Sequence, residues 1–220
     1  MQVTGDLSRV IRNKDGLYEG DLRHYFRVVF FKAENLLNPY HNFMHLCYVF
    51  YLCFLACLFY KDKLTKRQIR NLLIAALFHD FDHTGKLDPD LINIALAIDG
   101  LREHILHQDE MEFENIATLM RGTQWPHVIP GDALTLEGQI LRDADLCQVL
   151  QVVWMQPVII GLSAEKGCSP IQMLALQPEF LSNLKFLTEW ARSLFPTESI
   201  YSKINEAEDI FNILTEPLTD

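Results

Sequence analysis

A run of fifteen uncharged and mostly apolar residues, from Leu46 to Tyr60, limits the possible folds of this chain more than any other feature. A helix that spans a membrane needs about 18–20 such residues, so this run is too short to do so. A helix that is apolar on every side is instead typical of the centre of a protein core. We therefore expect a fold built around one fully buried helix, and we predict no membrane span.

The rest of the chain has apolar residues at helical spacing and no sustained strand-like alternation. Thr65 and Gln68 form a capping-box pattern at one helix start, and the glycines and prolines of 122–133 predict a loop. The 220 residues, 49% of them hydrophobic, fit one compact all-α, multi-helix bundle over 1–220, with residues 1–20 loosely held. The predicted helices cover 21–35, 42–60, 65–80, 89–99, 110–122, 134–150, 151–164, 170–194 and 197–214.

Charge and cysteine content exclude several classes of function. The net charge of −10 argues against binding of a nucleic-acid backbone. The five cysteines form no C-x-x-C pair, and their odd number argues against a disulfide framework. No signal peptide is recognisable at the start of the sequence. We therefore expect buried free thiols and a cytoplasmic protein.

Two short clusters hold four of the eight histidines, namely His41–His45 and His79–His83, and Asp143 and Asp145 follow on a later helical run. Neutral imidazoles and carboxylates are ligands of catalytic divalent metals. This set of residues predicts a metal-dependent phosphohydrolase. Because no thiolate takes part, one or two ions of Mn, Fe, Mg, Co or Zn fit equally well.

Spacing assigns some of these groups. His41 and His45 are four residues apart, so they share one helix face if the helix includes His41. His79 and Asp80 are adjacent and point in different directions on a helix, which is awkward for two ligands of one ion unless the helix ends there. This arrangement also allows Asp80 to bridge two ions about 3.5–4 Å apart while His79 binds only one. Asp143 and Asp145 face different ways and compete for the last ligand position.

The motifs H-N-x-x-H at 41–45, H-D-x-D-H-x-G at 79–85 and A-D-L at 144–146 resemble those of the HD superfamily of phosphohydrolases. Within that superfamily they are similar to the cyclic-nucleotide phosphodiesterase branch, over a segment from about Tyr40 to Leu150. The resemblance implies that His41 protonates the leaving oxygen and that a water between two ions attacks phosphorus. It also implies a set of metal ligands, namely His45, His79, Asp80 and Asp145.

The same resemblance places Asp82 and His83 near the second metal's water shell or the substrate phosphate. We therefore predict that His83 acts with His41 and Asp80 in catalysis. Asp143 either orients a ligand or caps a helix. Two alternatives remain for three further histidines, His104, His107 and His127. They either bind a second metal, as in some HD proteins, or lie at the surface or at a helix end.

Gln177 and Phe180 match the Q-x-x-F pair with which the resembling phosphodiesterases hold the base of their substrate, although the same residues also suit an ordinary helix start. The predicted function is hydrolysis of a nucleotide or cyclic-nucleotide diester. The alternatives are a nucleotide phosphomonoesterase and a non-catalytic helical metal-binding module. The expected partner is a small phosphorylated substrate, not a nucleic acid or a membrane, and the sequence predicts no oligomeric state.

Overall fold

The computed structural model describes residues 6–217. This range contains eleven α-helices and no strand, as the helical periodicity predicts. The all-α prediction is confirmed. Short 3₁₀ turns at His107–Glu112, Gly131–Ala133 and Cys147–Leu150 and a π-helical segment at Met155–Leu162 connect some of them. The helices are α1 Leu7–Ile11, α2 Arg23–Lys32, α3 Phe43–Phe59, α4 Lys66–Phe78, α5 Asp90–His104, α6 Phe113–Arg121, α7 Leu136–Leu146, α8 Ser163–Lys166, α9 Pro170–Asn183, α10 Glu189–Leu194 and α11 Thr197–Thr215.

Helix α3 contains most of the uncharged run and lies in the core. It packs against α4 and α7, and α4 also contacts α6, α2 and α5. Its buried residues, which include Leu46, Val49, Phe50 and Cys53, cover only about half of its circumference. Met44, Leu58 and Phe59 on the other side are exposed, so the expectation of a fully buried helix is only partly met. Helices α3, α4 and α7 therefore meet in the centre of the molecule.

Side-chain caps fix where these helices begin. The predicted capping box of α4 is present, because Thr65 accepts from the backbone N–H of Gln68 and the Gln68 side chain bonds back to Thr65. Asn42 caps α3 by accepting from the backbone N–H groups of Met44 and His45. A cap of this kind is worth about 1 kcal/mol. The cap at Asn42 also means that His41 precedes α3 and does not lie on it.

Residues 6–20 correct the expectation of a loosely held N-terminal segment. Helix α1 was not predicted, and its residues Val10 and Ile11 are buried together with Tyr18. The Tyr18 hydroxyl donates to the backbone carbonyl of Ile11 at 3.1 Å. A few apolar side chains among polar neighbours are enough to attach the segment to the core. Residues 1–5 of the predicted loose segment lie outside the described residues.

Two predicted helices also differ from the structure. The predicted helix 170–194 is divided into α9 and α10, because buried Asp143 accepts from the backbone N–H groups of Leu187 and Thr188 just before α10. The predicted helix 151–164 begins only at Met155, and its first two turns are π-helical. A contact with a residue more than 40 positions away causes the first break, so local periodicity could not predict it.

Within residues 6–217, no single helix is both long and apolar enough to cross a bilayer. One pair of helices in this range reaches such a length and composition together, Leu136–Leu150 with Met155–Lys166, and it is bent by 95°.

Candidate metal centre

Three core helices deliver the predicted metal ligands to one point. His45 lies in the first turn of α3, and Asp145 lies in the last turn of α7. Helix α4 ends at Phe78, so that His79 is its C-cap residue and Asp80 lies in the turn beyond it. Because the helix ends there, the adjacent His79 and Asp80 can both face the same point.

The ligand atoms of these four residues converge. Those of His45, His79, Asp80 and Asp145 lie within 4.8 Å of one another. The Nε2 atoms of His45 and His79 are 3.4 Å apart, and each is 3.2 Å from Asp80 Oδ2. Asp145 Oδ1 is 3.1 Å from His45 Nε2 and 3.5 Å from His79 Nε2. Two imidazole nitrogens and two carboxylate oxygens therefore surround a single position.

Hydrogen bonds on the far side of each imidazole orient it toward this position. Nδ1 of His45 lies 2.7 Å from Oε1 of buried Gln148, and Nδ1 of His79 lies 3.0 Å from the backbone carbonyl of Ala76. Since both partners are acceptors, Nδ1 donates to them, and Nε2 is the nitrogen that faces the carboxylates and is left to bind an ion. Partners of this kind fix the tautomer of metal-binding histidines. No motif in the sequence points to Gln148.

The electrostatics of the cluster favour a bound cation. Burial opposes protonation, but hydrogen bonds and charges from Asp145 and Asp80 raise the pKa of His45 to about 9. Burial likewise opposes ionisation of Asp145, yet the two imidazoles hold its pKa well below the usual range. Asp80 Oδ2 is buried and lacks a hydrogen bond within normal geometry. A divalent ion fits this donor set, because it would coordinate that oxygen and both Nε2 lone pairs at once.

A second group of converging side chains lies beside the first and consists of His41, His83 and Glu165. The rings of His41 and His83 stack with 3.7 Å between their centroids. His41 Nδ1 is 2.5 Å from Glu165 Oε2, and Glu165 Oε1 accepts from the backbone N–H groups of Tyr40 and His41. Despite its burial, these bonds lower the pKa of Glu165, so the carboxylate is ionised.

Glu165 is a functional candidate that no sequence motif indicates. It lies in Ala164-Glu165-Lys166, where both neighbours are exposed and Glu165 is buried. A glutamate beside a lysine near a helix end is typical of a solvated surface. No local pattern could have identified it.

Asp82 and Asp143 lie outside both clusters. Asp82 adopts a left-handed backbone conformation with φ of 59° and accepts from the backbone N–H of Glu34 at 2.8 Å. Asn35 bonds the backbone N–H of Asp82 and the carbonyls of His41 and Asp80, so this contact joins the two histidine motifs. Asp143 accepts from the backbone N–H and the hydroxyl of Thr188, which itself caps α10, so Asp143 anchors the start of that helix without capping it.

The three open histidines are separate from one another, and no group of converging ligand atoms found in residues 6–217 includes them. His107 is 96% exposed and pairs with Glu110. His104 packs its ring against Phe81 with 6.3 Å between centroids. His127 is half-buried, with Nδ1 3.0 Å from the backbone carbonyl of Gln124. These positions give no support to a second metal site built from histidines.

A cavity of about 570 Å³ has none of the four converging residues in its wall, although it is lined by Leu146, which follows Asp145 in the sequence. Phe180 lines this cavity, whereas Gln177 is not among the lining residues. The Gln177 amide instead donates to the backbone carbonyl of Met173 at 3.0 Å. The predicted Q-x-x-F pair is therefore divided between the cavity and the helix interior. The aromatic and charged residues that line the cavity are Trp125, His127, Arg142, Glu179, Phe180 and Lys185.

Comparison with known proteins agrees with this geometry. Residues 40–120 match the model of the 3′5′-cyclic nucleotide phosphodiesterase family, and none of the curated proteins matches the chain. The matched segment contains both histidine motifs, whereas Asp145 and Glu165 lie beyond it. The match confirms the resemblance to the metal-dependent phosphodiesterases of the HD superfamily.

Proposed function

We propose that this chain, a metal-dependent phosphodiesterase, hydrolyses a 3′,5′-cyclic nucleotide at the centre formed by α3, α4 and α7. The observation that carries the proposal is the position of the His41–Glu165 pair directly beside the four converging ligands. The first cluster can hold an ion that activates water, and the second can give a proton to the leaving oxygen. Hydrolysis of a phosphodiester needs both.

Four residues would hold the first divalent ion, namely His45, His79, Asp80 and Asp145. Asp80 is also our candidate to reach a second ion. Bound there, such ions supply positive charge that lowers the pKa of a coordinated water and stabilises the phosphoryl oxygens. The nitrogen and oxygen donors leave Mn, Fe, Mg, Co and Zn as candidates.

His41 is the proposed general acid. Its Nδ1 proton is held by Glu165, so the proton available to the leaving oxygen lies on Nε2. His83 cannot compete for this role near neutral pH, because burial and the adjacent charge of His41 lower its pKa to about 4. Its stacked, neutral ring instead limits the movement of His41.

The substrate class follows from the family match, which favours a diester over the monoesterase alternative and over a non-catalytic module. The cavity that Leu146 and Phe180 line has room for a nucleoside, and Phe180 offers it an aromatic surface. The free cysteines fit a reducing compartment, and we propose the cytoplasm.

The proposal is tested with purified protein and added Mn²⁺, by comparing hydrolysis of cyclic AMP, cyclic GMP, the nucleoside 5′-monophosphates and bis-p-nitrophenyl phosphate. We expect turnover of the cyclic nucleotides and the model diester, with little release of phosphate from the monophosphates. Asp80→Ala should be inactive, whereas a variant of the exposed Asp88, Asp88→Ala, should match the wild type. Faster turnover of the monophosphates than of any diester would contradict the proposal.

A further inference from the structure

Asp90 begins helix α5 and attaches a distant loop to it. Its Oδ2 accepts from the backbone N–H of Trp125 at 2.7 Å. Trp125 lies in the loop 122–133 between α6 and α7, which has a proline or glycine at four of its twelve positions. The carboxylate is therefore a fixed attachment for a segment that contains little regular structure.

The Trp125 side chain is held in place without being buried. It is 48% exposed, although tryptophan is the largest apolar side chain in the molecule. Its ring packs edge-on against His127 at 4.8 Å and against Phe180 at 5.7 Å between centroids. All three rings line the 570 Å³ cavity. One face of this aromatic group is thus packed on protein and another is open to a ligand.

Asp90 also lies within the electrostatic field of the metal centre. Burial raises the pKa of Asp90, and the negative charges of Asp80 and Asp145 raise it further. A phosphate would be repelled by Asp90 and attracted by the cation at the metal centre. A substrate with a phosphate at the metal ion would therefore direct its uncharged end toward Trp125 and the cavity.

We propose that Trp125 is the stacking surface for the nucleobase of the substrate, and that Asp90 is the positioning residue that holds it there. This inference rests on the proposed function and adds which residues recognise the nucleoside part. The chemistry is stacking of a flat aromatic base on an indole ring, which tolerates purines and pyrimidines alike. Gln177, which is bonded to its own helix, has no part in it.

The test compares KM and kcat for cyclic AMP with those for methyl p-nitrophenyl phosphate, a small diester without a base. Trp125→Ala should raise KM for cyclic AMP about 5- to 150-fold, the range expected for loss of one base stack, and leave kcat nearly unchanged. Asp90→Ala should raise the same KM by a smaller factor. Neither change should alter the constants for the small diester.

Conservative and control variants separate positioning from folding. Asp90→Asn keeps an oxygen that can accept from the Trp125 N–H and should restore most of the affinity, and Trp125→Phe keeps a ring. Asp99→Ala, at an exposed position of the same helix, should behave like the wild type. Once Trp125 has been replaced by alanine, adding Asp90→Ala in a double variant should change KM for cyclic AMP little further. Equal losses on both substrates, or an unchanged KM for cyclic AMP in Trp125→Ala, would overturn the inference.

A binding measurement keeps the inference testable if the proposed function fails. Of the three tryptophans, Trp154 and Trp190 are buried, so acrylamide quenches mainly the fluorescence of Trp125. Cyclic AMP should protect this fluorescence in the wild type and in Asp90→Asn. A wild type that hydrolyses no diester with any metal would contradict the proposed function alone, whereas absence of protection would contradict the role of Trp125.

Discussion

At the scale of single residues, Asp80 is placed to serve the metal centre more than any other group. Its Oδ2 lies 3.2 Å from the Nε2 atoms of both His45 and His79 and has no hydrogen-bond partner of normal geometry. A buried carboxylate oxygen without a partner costs free energy unless a cation neutralises it. We therefore expect the charge of Asp80 to matter more for the ion than that of the neighbouring Asp82, which accepts from a backbone N–H.

We predict that Asp80→Ala removes bound metal together with activity. The variant loses the carboxylate shared by both imidazoles, and only water can replace it. Metal per chain is measured by elemental analysis after incubation with Mn²⁺ and dialysis. Asp88→Ala, at an exposed position just beyond the motif, provides the matched control. Undiminished metal in Asp80→Ala would show that the ion is held elsewhere.

The lowered pKa of His83 should make the free energy of unfolding depend on pH. Its pKa falls from 6.5 to about 4 on folding, because burial and the charge of His41 disfavour its protonated form. The unfolded chain therefore binds a proton between pH 6.5 and 4 that the folded chain does not, so stability decreases as pH falls through this window. The full effect is roughly 3 kcal/mol. His45, whose pKa is raised, contributes with the opposite sign, but that contribution is already complete below pH 6.5.

The measurement is urea denaturation of the metal-free protein at several pH values from 7 to 4. In His83→Gln, the free energy of unfolding should decrease less steeply as the pH falls. The slope that remains comes from other titrating groups. The comparison concerns the slope with pH and not the absolute stability of the variant, because Gln also loses the bond from the Gly85 N–H to His83 Nδ1. Identical slopes in the two proteins would contradict the assignment.

At the scale of elements, the π-helical segment Met155–Leu162 brings Glu165 to His41. Within it, Gly161 lies so close to the loop before α3 that an added Cβ would be 2.4 Å from the backbone carbonyl oxygen of Pro39. Such a contact is closer than real Cβ atoms show, and a backbone oxygen cannot rotate away. Only glycine allows the two segments to approach this closely, and the contact of Glu165 with Tyr40 and His41 depends on that approach.

We predict that Gly161→Ala separates these segments and weakens proton donation by His41. The overpacked contact should cost about 1–3 kcal/mol of stability. Activity on cyclic AMP should fall more than activity on bis-p-nitrophenyl phosphate, because a p-nitrophenolate leaves without needing a proton. The measurements are urea denaturation and the ratio of the two kcat values. Ala164→Ser, at an exposed position three residues later, is the control, and an unchanged ratio in Gly161→Ala would contradict the role given to this contact.

At the scale of the whole molecule, the proposed metal ligands come from the three helices that form the middle of the core. Helices α3, α4 and α7 contact one another through buried apolar residues, and each ends or begins at a ligand. An ion bound by all three would join residues as far apart as 45 and 145 in the sequence. Because the unfolded chain does not hold these groups together, metal binding is linked to folding.

We predict that Mn²⁺ raises the midpoint of thermal unfolding of the wild type. At a free concentration of 100 times Kd the gain is about 2.7 kcal/mol, and it grows with the logarithm of the concentration. The measurement is thermal denaturation followed by circular dichroism, with EDTA and with increasing Mn²⁺. Asp88→Ala should respond like the wild type and Asp80→Ala should not respond. A response of equal size in Asp80→Ala would indicate non-specific binding of the ion.

The sequence by itself determined what depends on local spacing and on residue type. The uncharged run predicted the central helix α3, and the pattern of Thr65 and Gln68 predicted the start of α4. The histidine and aspartate motifs named the four residues that converge, because imidazole and carboxylate are recognisable as ligands wherever they occur.

Only the tertiary structure decided which distant groups complete the site. Glu165 is 124 positions from His41, and Gln148 is 103 positions from His45. The break before α10 is made by Asp143, and the Q-x-x-F pair is divided because Gln177 bonds to its own helix. Each of these contacts depends on how helices pack, and a buried glutamate or glutamine has the same local pattern in the sequence as an exposed one. The spacing of neighbours therefore specifies the ligands, while packing between remote helices specifies the groups that orient them.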